Sequence, residues 1–260
     1  MEYREISNEL IMMIKSLRKK SGREEHGLFL AEGLKVCSEI FHSLYQPMYV
    51  IIPGNANRDA LDLAEKLSGT YKISIYKAQR KIFDKICDTD SPQDILAILK
   101  IPNLIPLTNE TFISLDNVSD PGNVGTIIRT AEWFGFKQVI LNEGCADIYN
   151  PKTVRSSMGA ILKINYIKTK DLRKFIKEVF PLHFVLGTYL EGEKFNSELV
   201  KSLPKDRRIG IIFGNESSGI SDDLLQVIDM KVSIPGSGRF DSLNVSVAGG
   251  IVLYELSLKK

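Results

Sequence analysis

Three segments between Leu115 and Ala248 put polar side chains where apolar runs break. They read Leu115-Asp-Asn-Val-Ser-Asp-Pro-Gly-Asn-Val-Gly-Thr-Ile-Ile-Arg129, Ile211-Ile-Phe-Gly-Asn-Glu-Ser-Ser-Gly219 and Ser233-Ile-Pro-Gly-Ser-Gly-Arg-Phe-Asp-Ser-Leu-Asn-Val-Ser-Val-Ala248. Each starts as an apolar strand, breaks at Gly or Pro, and presents Asn, Glu, Ser or Arg at the break. Ligands of open α/β sheets bind in the crevice outside the carboxyl ends of the strands, so three such ends in one domain point to one composite site.

Taken singly, the same residues also fit plain structural duties. Asn123, after Pro121-Gly122, suits a helix N-cap. Arg129 lies about one and two-thirds turns up that helix and is spaced to pair with Glu132. Gly214 allows close backbone approach, Glu216 suits a turn, and Ser221-Asp222-Asp223 reads as helix capping. In the third segment Ile234-Pro235-Gly236 ends a strand, Gly236 and Gly238 make a loop, and Ser242 or Asn244 suits a cap. Gly236-Ser-Gly238 is no dinucleotide fingerprint, because it lacks the third glycine and does not follow the first strand.

The elements that position these breaks are legible as two alternations. The first predicts a helix over 5–20, a strand over 27–31, a helix over 32–44 and a strand over 48–52. A helix over 57–67 ended by Gly69, a strand over 71–75, a helix over 78–87 and a strand over 94–100 complete it. Residues 101–109 hold two prolines and no amphipathic period, which marks a linker. The second alternation predicts strands near 112–116, 138–142, 182–187, 209–213 and 230–234, with helices near 123–134, 171–179, 221–228 and 243–258. That last helix is apolar nearly all round, with Ser246, Ala248, Gly249 and Gly250 at its middle. A helix of that kind must be buried against its own core or against a second subunit.

Composition narrows the class. The 260 residues are 43% hydrophobic and 25% charged, with a formal net charge of +2. No apolar run reaches the roughly 20 residues of a membrane span, and no signal peptide is expected. Cys37, Cys87 and Cys145 are scattered, and His26, His42 and His183 lie outside the three segments. No metal spacing and no nucleophilic triad can be assembled from them. Residues 10–23 carry Lys15, Arg18, Lys19, Lys20 and Arg23 and no acidic residue. That run is either a solvated helix face or a surface for a polyanion.

In order and spacing, the three segments resemble the motifs of the SpoU (TrmH) family of RNA ribose 2′-O-methyltransferases in the SPOUT superfamily. Asn123 is followed six residues later by Arg129, Gly214-Asn215-Glu216 matches the second motif, and Ser242-Leu243-Asn244 matches the third. Asp241 stands where many members carry Glu. The resemblance covers residues 112–258. Asn150-Pro-Lys-Thr-Val-Arg-Ser-Ser-Met-Gly-Ala160 resembles the rRNA-directed branch, and the N-terminal alternation resembles its ribosomal-protein-like RNA-binding domain.

The resemblance implies an α/β fold in two domains. Residues 1–104 would bind RNA, and 105–260 would form a SPOUT-type domain with a deep trefoil knot. It implies S-adenosyl-L-methionine as cofactor, contacted by Gly187, Thr188, Phe213, Gly214, Asn215, Glu216, Ile234, Pro235, Leu243, Asn244 and Val245. It implies catalytic duties for Asn123, Arg129, Glu216, Ser242 and Asn244, no metal, and a cytoplasmic homodimer joined through the last helix. A guanidinium stays protonated below a pH of about 12, so Arg129 is expected to hold a phosphate and stabilise developing alkoxide charge rather than act as a base. RNA contacts are expected from Lys15, Arg18, Lys19, Lys20, Arg23, Lys152 and Arg155. The dedicated N-terminal domain favours rRNA over tRNA by analogy. A non-catalytic RNA-binding descendant would show decay of Asn123, Arg129 or Asn244, and all three are intact. An α/β oxidoreductase would need the missing glycine fingerprint.

Overall fold

The computed structural model describes residues 3–237 and 242–259. The chain forms two compact units, Met1–Asn103 with Asp147–Lys163, and Leu104–Ala146 with Ile164–Lys260. The segment Asp147–Lys163, expected within the second alternation, therefore folds with the first unit.

The first unit begins with β1 (Tyr3–Glu5), α1 (Asn8–Ser16) and α2 (Lys20–His26). The single helix expected over 5–20 is thus divided. Ser7 caps α1 by accepting from the Leu10 amide, and the chain turns after Leu17. Gly22 is required at this corner, because a Cβ there would overlap the Ser16 carbonyl. Next come β2 (Leu28–Glu32), α3 (Leu34–Ser38), β3 (Pro47–Pro53) and α4 (Arg58–Tyr71). Gly69 does not stop α4, which runs on until Lys72 takes a left-handed backbone at φ 55°. Tyr71 is held in that last turn by donating its hydroxyl to the Ile40 carbonyl, so β4 (Ser74–Ala78) starts later than expected. With α5 (Arg80–Ile86) and β5 (Leu96–Lys100), the sheet order is β1-β4-β3-β5-β2. β1, β4 and β3 are parallel, while β5 runs antiparallel to β3 and β2. Ile14, Leu17, Leu30, Ile51, Phe83 and Leu96 close its core.

The second unit opens with β6 (Phe112–Leu115), α6 (Pro121–Trp133) and β7 (Gln138–Asn142). The chain then makes α7 (Pro151–Ser156), which belongs to the first unit, and returns as β8 (Asn165–Thr169). α8 (Leu172–Val179), β9 (Phe184–Lys194), α9 (Ser197–Ser202), β10 (Ile209–Phe213), β11 (Met230–Ser233) and α10 (Val245–Ser257) follow. The helix expected over 221–228 is a 3₁₀ turn at Asp222–Val227. All six strands are parallel, in the order β11-β9-β10-β6-β7-β8. β6 and β10 are buried along their whole length, as strands covered on both faces must be.

Phe112, Ile140 and Ile212 pack with Ile176 and Phe180 on one side of this sheet. α6 and α10 pack on each other in the same direction, as Asn123–Asn244, Ile127–Gly249 and Phe134–Tyr254 contacts show. A Cβ added at Gly249 would lie 3.4 Å from Ile127 Cγ1, so the helices are already in contact there. Gly250 faces open space. Of the small residues in the middle of α10, Gly249 is the buried one, packed toward α6.

Candidate functional site

Strand order locates a crevice. From central β6 the chain leaves toward β7 and β8, whereas from neighbouring β10 it leaves toward β11 at the opposite edge. Leu115 and Phe213 pair in register, so the loops that follow them diverge from one point. Such a switch point opens a ligand crevice at the carboxyl ends of the strands.

Beneath the crevice lies a buried polar network. Asp116, 1% exposed, accepts at Oδ2 from the Ser221 amide and hydroxyl, each at 2.7 Å. Its Oδ1 accepts from Asn142 Nδ2 at 2.6 Å and Asn117 Nδ2 at 3.0 Å. Four donors on one carboxylate offset the cost of burying its charge. Asn215 donates to the Asn117 carbonyl at 2.8 Å and accepts from Ser217 and Ser218, tying in the loop after β10. That loop folds back through two backbone bonds between Asn215 and Gly219. Gly214 must lack a side chain there, because a Cβ would overlap the Gly219 carbonyl. Ser221, expected to cap a helix, serves Asp116 instead.

Above this network three motif side chains form a second, solvent-facing chain of bonds. Asp120, not Asn123, caps α6 by accepting from the Asn123 amide at 2.9 Å, with Pro121 in the first helical turn. The Asn123 side chain is thereby released from capping. Its Nδ2 donates to Glu216 Oε1 at 2.5 Å, and its Oδ1 accepts from Asn244 Nδ2 at 3.1 Å. Asn244 does cap α10, its Oδ1 accepting from the Ser246 and Val247 amides. One amide therefore caps a helix with its oxygen and reaches across the site with its nitrogen, a division that the two ends of the group permit.

Arg129 is exposed, about 9 Å further along α6, and makes no hydrogen bond or ion pair among the described residues. The expected pairing with Glu132 is not formed. Ser242 is likewise exposed without a hydrogen bond among the described residues. Gly187 and Thr188 lie on β9, in register with the end of β10, and the Thr188 hydroxyl donates to the Ile212 carbonyl at 3.2 Å. Ile234 and Pro235 follow β11, the other neighbour of β9; Leu243 is 49% exposed and Val245 is buried. Gly238 and Asp241 lie outside the described residues.

The cations expected to meet RNA separate by burial. Arg23, only 2% exposed, is a structural staple: it binds Asp147 Oδ2 through Nη2 at 2.5 Å and Nε at 3.1 Å, and the Leu17 and Arg18 carbonyls through Nη1. It is withdrawn from any phosphate. Arg18 donates to the Lys85 carbonyl, and Arg155 pairs with Asp88 at 2.5 Å. Lys15, Lys19, Lys20 and Lys152 are exposed.

The remaining reactive groups are structural. Burial pushes the Cys37 and Cys145 thiols up to about 12 and raises Cys87 as well. His183 is buried against Phe112 and Phe180 with Nε2 2.9 Å from the Glu110 carbonyl, and burial lowers its pKa. Among the described residues no group of three His, Cys, Asp or Glu is placed to hold a metal.

Comparison with known proteins agrees with this geometry. Residues 110–254 match the SpoU rRNA Methylase family, and residues 8–97 match the MRM3-like substrate binding domain. The chain is 31% identical to the 23S rRNA (guanosine(2553)-2′-O)-methyltransferase RlmP of Bacillus subtilis, over 96% of both chains. It shares its fold with an AdoMet-bound rRNA methyltransferase from Sinorhizobium meliloti (TM-score 0.82, 27% identity, 98% and 97% coverage). A putative RNA methyltransferase of the TrmH family from Porphyromonas gingivalis fits equally well (TM-score 0.83, 28% identity, 98% and 99% coverage). The chain belongs to the SpoU rRNA Methylase family.

Proposed function

We propose that this chain methylates a ribose 2′-hydroxyl of rRNA, with S-adenosyl-L-methionine as donor. The observation that carries this reading is the Asn244–Asn123–Glu216 chain of bonds, which joins all three motifs at the switch point and still faces solvent. The B. subtilis relative's named activity and the AdoMet-bound S. meliloti enzyme support it.

The residues present fit that donor. Phe213-Gly214 lie at the end of β10 and Ile234-Pro235 follow β11, and Gly187-Thr188 lie within β9 between those two strands, in register with the end of β10, which offers backbone amides and carbonyls side by side. Leu243, next to Asn244, offers exposed apolar surface. When bound, S-adenosyl-L-methionine supplies an electrophilic methyl group on a sulfonium centre. The protein's task is then in-line placement of the ribose hydroxyl. Asn123, held from both sides by Glu216 and Asn244, orients the ribose edge. Arg129, with no partner among the described residues, binds the adjacent phosphate and stabilises negative charge on the 2′-oxygen as its proton passes to solvent water.

The first unit serves as the RNA-binding domain, which supports rRNA over tRNA, and the protein works in the cytoplasm where that RNA is. The second unit carries the family's trefoil knot in its C-terminal strands and helix; the packing on α6 of α10, which follows edge strand β11 in the sequence, supports this. The enzyme is a homodimer. Val247, Ile251 and Leu258 recur at helical spacing as an exposed apolar stripe on α10, with half-exposed Tyr254 beside Phe134 at its edge, and Trp133 of α6 is 80% exposed. A second copy is the natural cover for such a stripe.

Calorimetry tests the core of the proposal. One molecule of S-adenosyl-L-methionine or its demethylated product should bind per subunit. A folded protein that binds neither would remove the methyltransferase reading.

A further inference from the structure

The pair Arg155–Asp88 in the first unit is built differently from the buried staple Arg23–Asp147. Its two side chains are 34% and 31% exposed, against 3% for Arg23 in the Arg23–Asp147 pair. The backbone on both sides of the pair is fixed by other bonds. The Glu32 carboxylate accepts from the Asp88 amide at 2.8 Å and from the Thr89 hydroxyl. The segment carrying Arg155 is anchored at one end by Arg23–Asp147 and at the other by Lys163–Glu39 at 2.7 Å. The Asp88 side chain is therefore not needed to hold its own loop in place.

A second guanidinium converges on the same short stretch. Arg18 Nη2 donates to the Lys85 carbonyl at 3.0 Å, at the last turn of α5, and Arg18 Nε is buried without a partner among the described residues. The Lys85 side chain is exposed. Arg18 and Arg155 thus reach the stretch 85–88 from two distant parts of the sequence, and Lys85 within it adds an exposed cation. Of the nearby carboxylates, Glu32 is spent on the loop and Asp84 pairs with Arg80 at 3.0 Å. Among the described residues, the carboxylate paired with Arg155 is that of Asp88. A planar guanidinium presents paired donors to carboxylate and phosphate alike, so one can replace the other without moving the arginine.

We propose that the carboxyl end of α5 forms an RNA-backbone site in which Asp88 occupies the place of a phosphate until RNA displaces it from Arg155. This rests on the reading of the chain as an rRNA enzyme and names where its first unit grips the backbone. Arg18 and Lys85 flank the exchanged position. Asp88 keeps Arg155 oriented in the free protein and weakens the grip on any RNA that cannot displace it.

The test uses the full chain, an in vitro transcript of 23S rRNA, and filter binding across a salt series. Asp88→Asn should bind the transcript about two- to fivefold more tightly, the range that corresponds to loss of a competing exposed ion pair. Asp90→Asn makes the same charge change two residues away and should have a smaller effect. Arg155→Ala and Lys85→Ala should each weaken binding and make the salt slope shallower by about 0.7–0.9. In Arg155→Ala, adding Asp88→Asn should no longer tighten binding. A folded Asp88→Asn that binds no better than Asp90→Asn, or that still tightens binding without Arg155, would overturn the exchange while leaving the enzyme reading intact. Unmodified protein that takes S-adenosyl-L-methionine but not the transcript would overturn both the site and the RNA reading of the first unit.

Discussion

Two polar networks meet at the carboxyl ends of β6 and β10, and burial separates their roles. Asp116 is 1% exposed and every lone pair that matters is occupied by Ser221, Asn117 or Asn142. Asn123, Glu216 and Asn244 face solvent and form two bonds among themselves, which leaves acceptors and donors over. A saturated buried network can only hold a shape, because any freed group would lose its solvation without return. An unsaturated exposed one can exchange partners with a ligand. The same contrast separates Arg23–Asp147 from Arg155–Asp88 in the first unit. Residue type is therefore a poor guide to function here; saturation is the better one.

The contrast predicts its largest effect at Asp116. Asp116→Ala strips the partner from four donors at once, at a cost of about 3 kcal/mol or more. Thermal denaturation should show a large drop in Tm, and S-adenosyl-L-methionine binding should fall with it. A stable variant with normal cofactor affinity would show that the buried network is dispensable.

Arg129→Ala should have the opposite signature. Its exposed side chain has no hydrogen bond or ion pair among the described residues, so Tm should be unchanged. Turnover should fall about 10²–10³-fold, as when a donor to developing negative charge is removed. Cofactor affinity should hardly move. Asn244→Ala lies between the two, since it removes a cap of about 1 kcal/mol together with the link to Asn123. Calorimetry and single-turnover rates separate the cases. Arg129→Lys with most of its activity retained would reduce the arginine to a point charge.

These differences bear on what can be read without coordinates. β6 and β10 were legible as short, continuous apolar runs, and the first two motifs fall where those runs break, while the third follows β11. The cap of α6 was not: Asn123 suits a cap by residue type, but Asp120, just before Pro121, is the residue that takes the Asn123 amide. Ser221 is ambiguous for the same reason, because a hydroxyl before two carboxylates reads as a cap whether or not it serves one. The placement of Asp147–Lys163 was not legible at all. It depends on Arg23 meeting Asp147 and on Glu39 meeting Lys163, pairs more than a hundred residues apart that no local period encodes.

The smallest effect tests burial itself, at a group outside the site. His183 packs between Phe112 and Phe180, and burial lowers its pKa, with the charges of Arg207 and Arg208 acting in the same direction. Above the ordinary histidine value of about 6.5, both the folded and unfolded chains carry it neutral, and it contributes no pH dependence. As pH falls below that value, the unfolded chain takes up a proton that the folded chain refuses. Stability is therefore full above about 6.5 and is lost as pH falls toward the lowered folded value. The carboxylate of Glu39, held down by Lys163 and Lys35, acts in the same sense but in a more acidic window. Denaturant melts at pH 7.5 and 5.5 should thus show a loss that His183→Gln reduces, since glutamine can still donate to the Glu110 carbonyl and does not titrate. An equal loss in that variant would place the sensitivity elsewhere and would mean that this buried ring accepts its proton as readily as an exposed one.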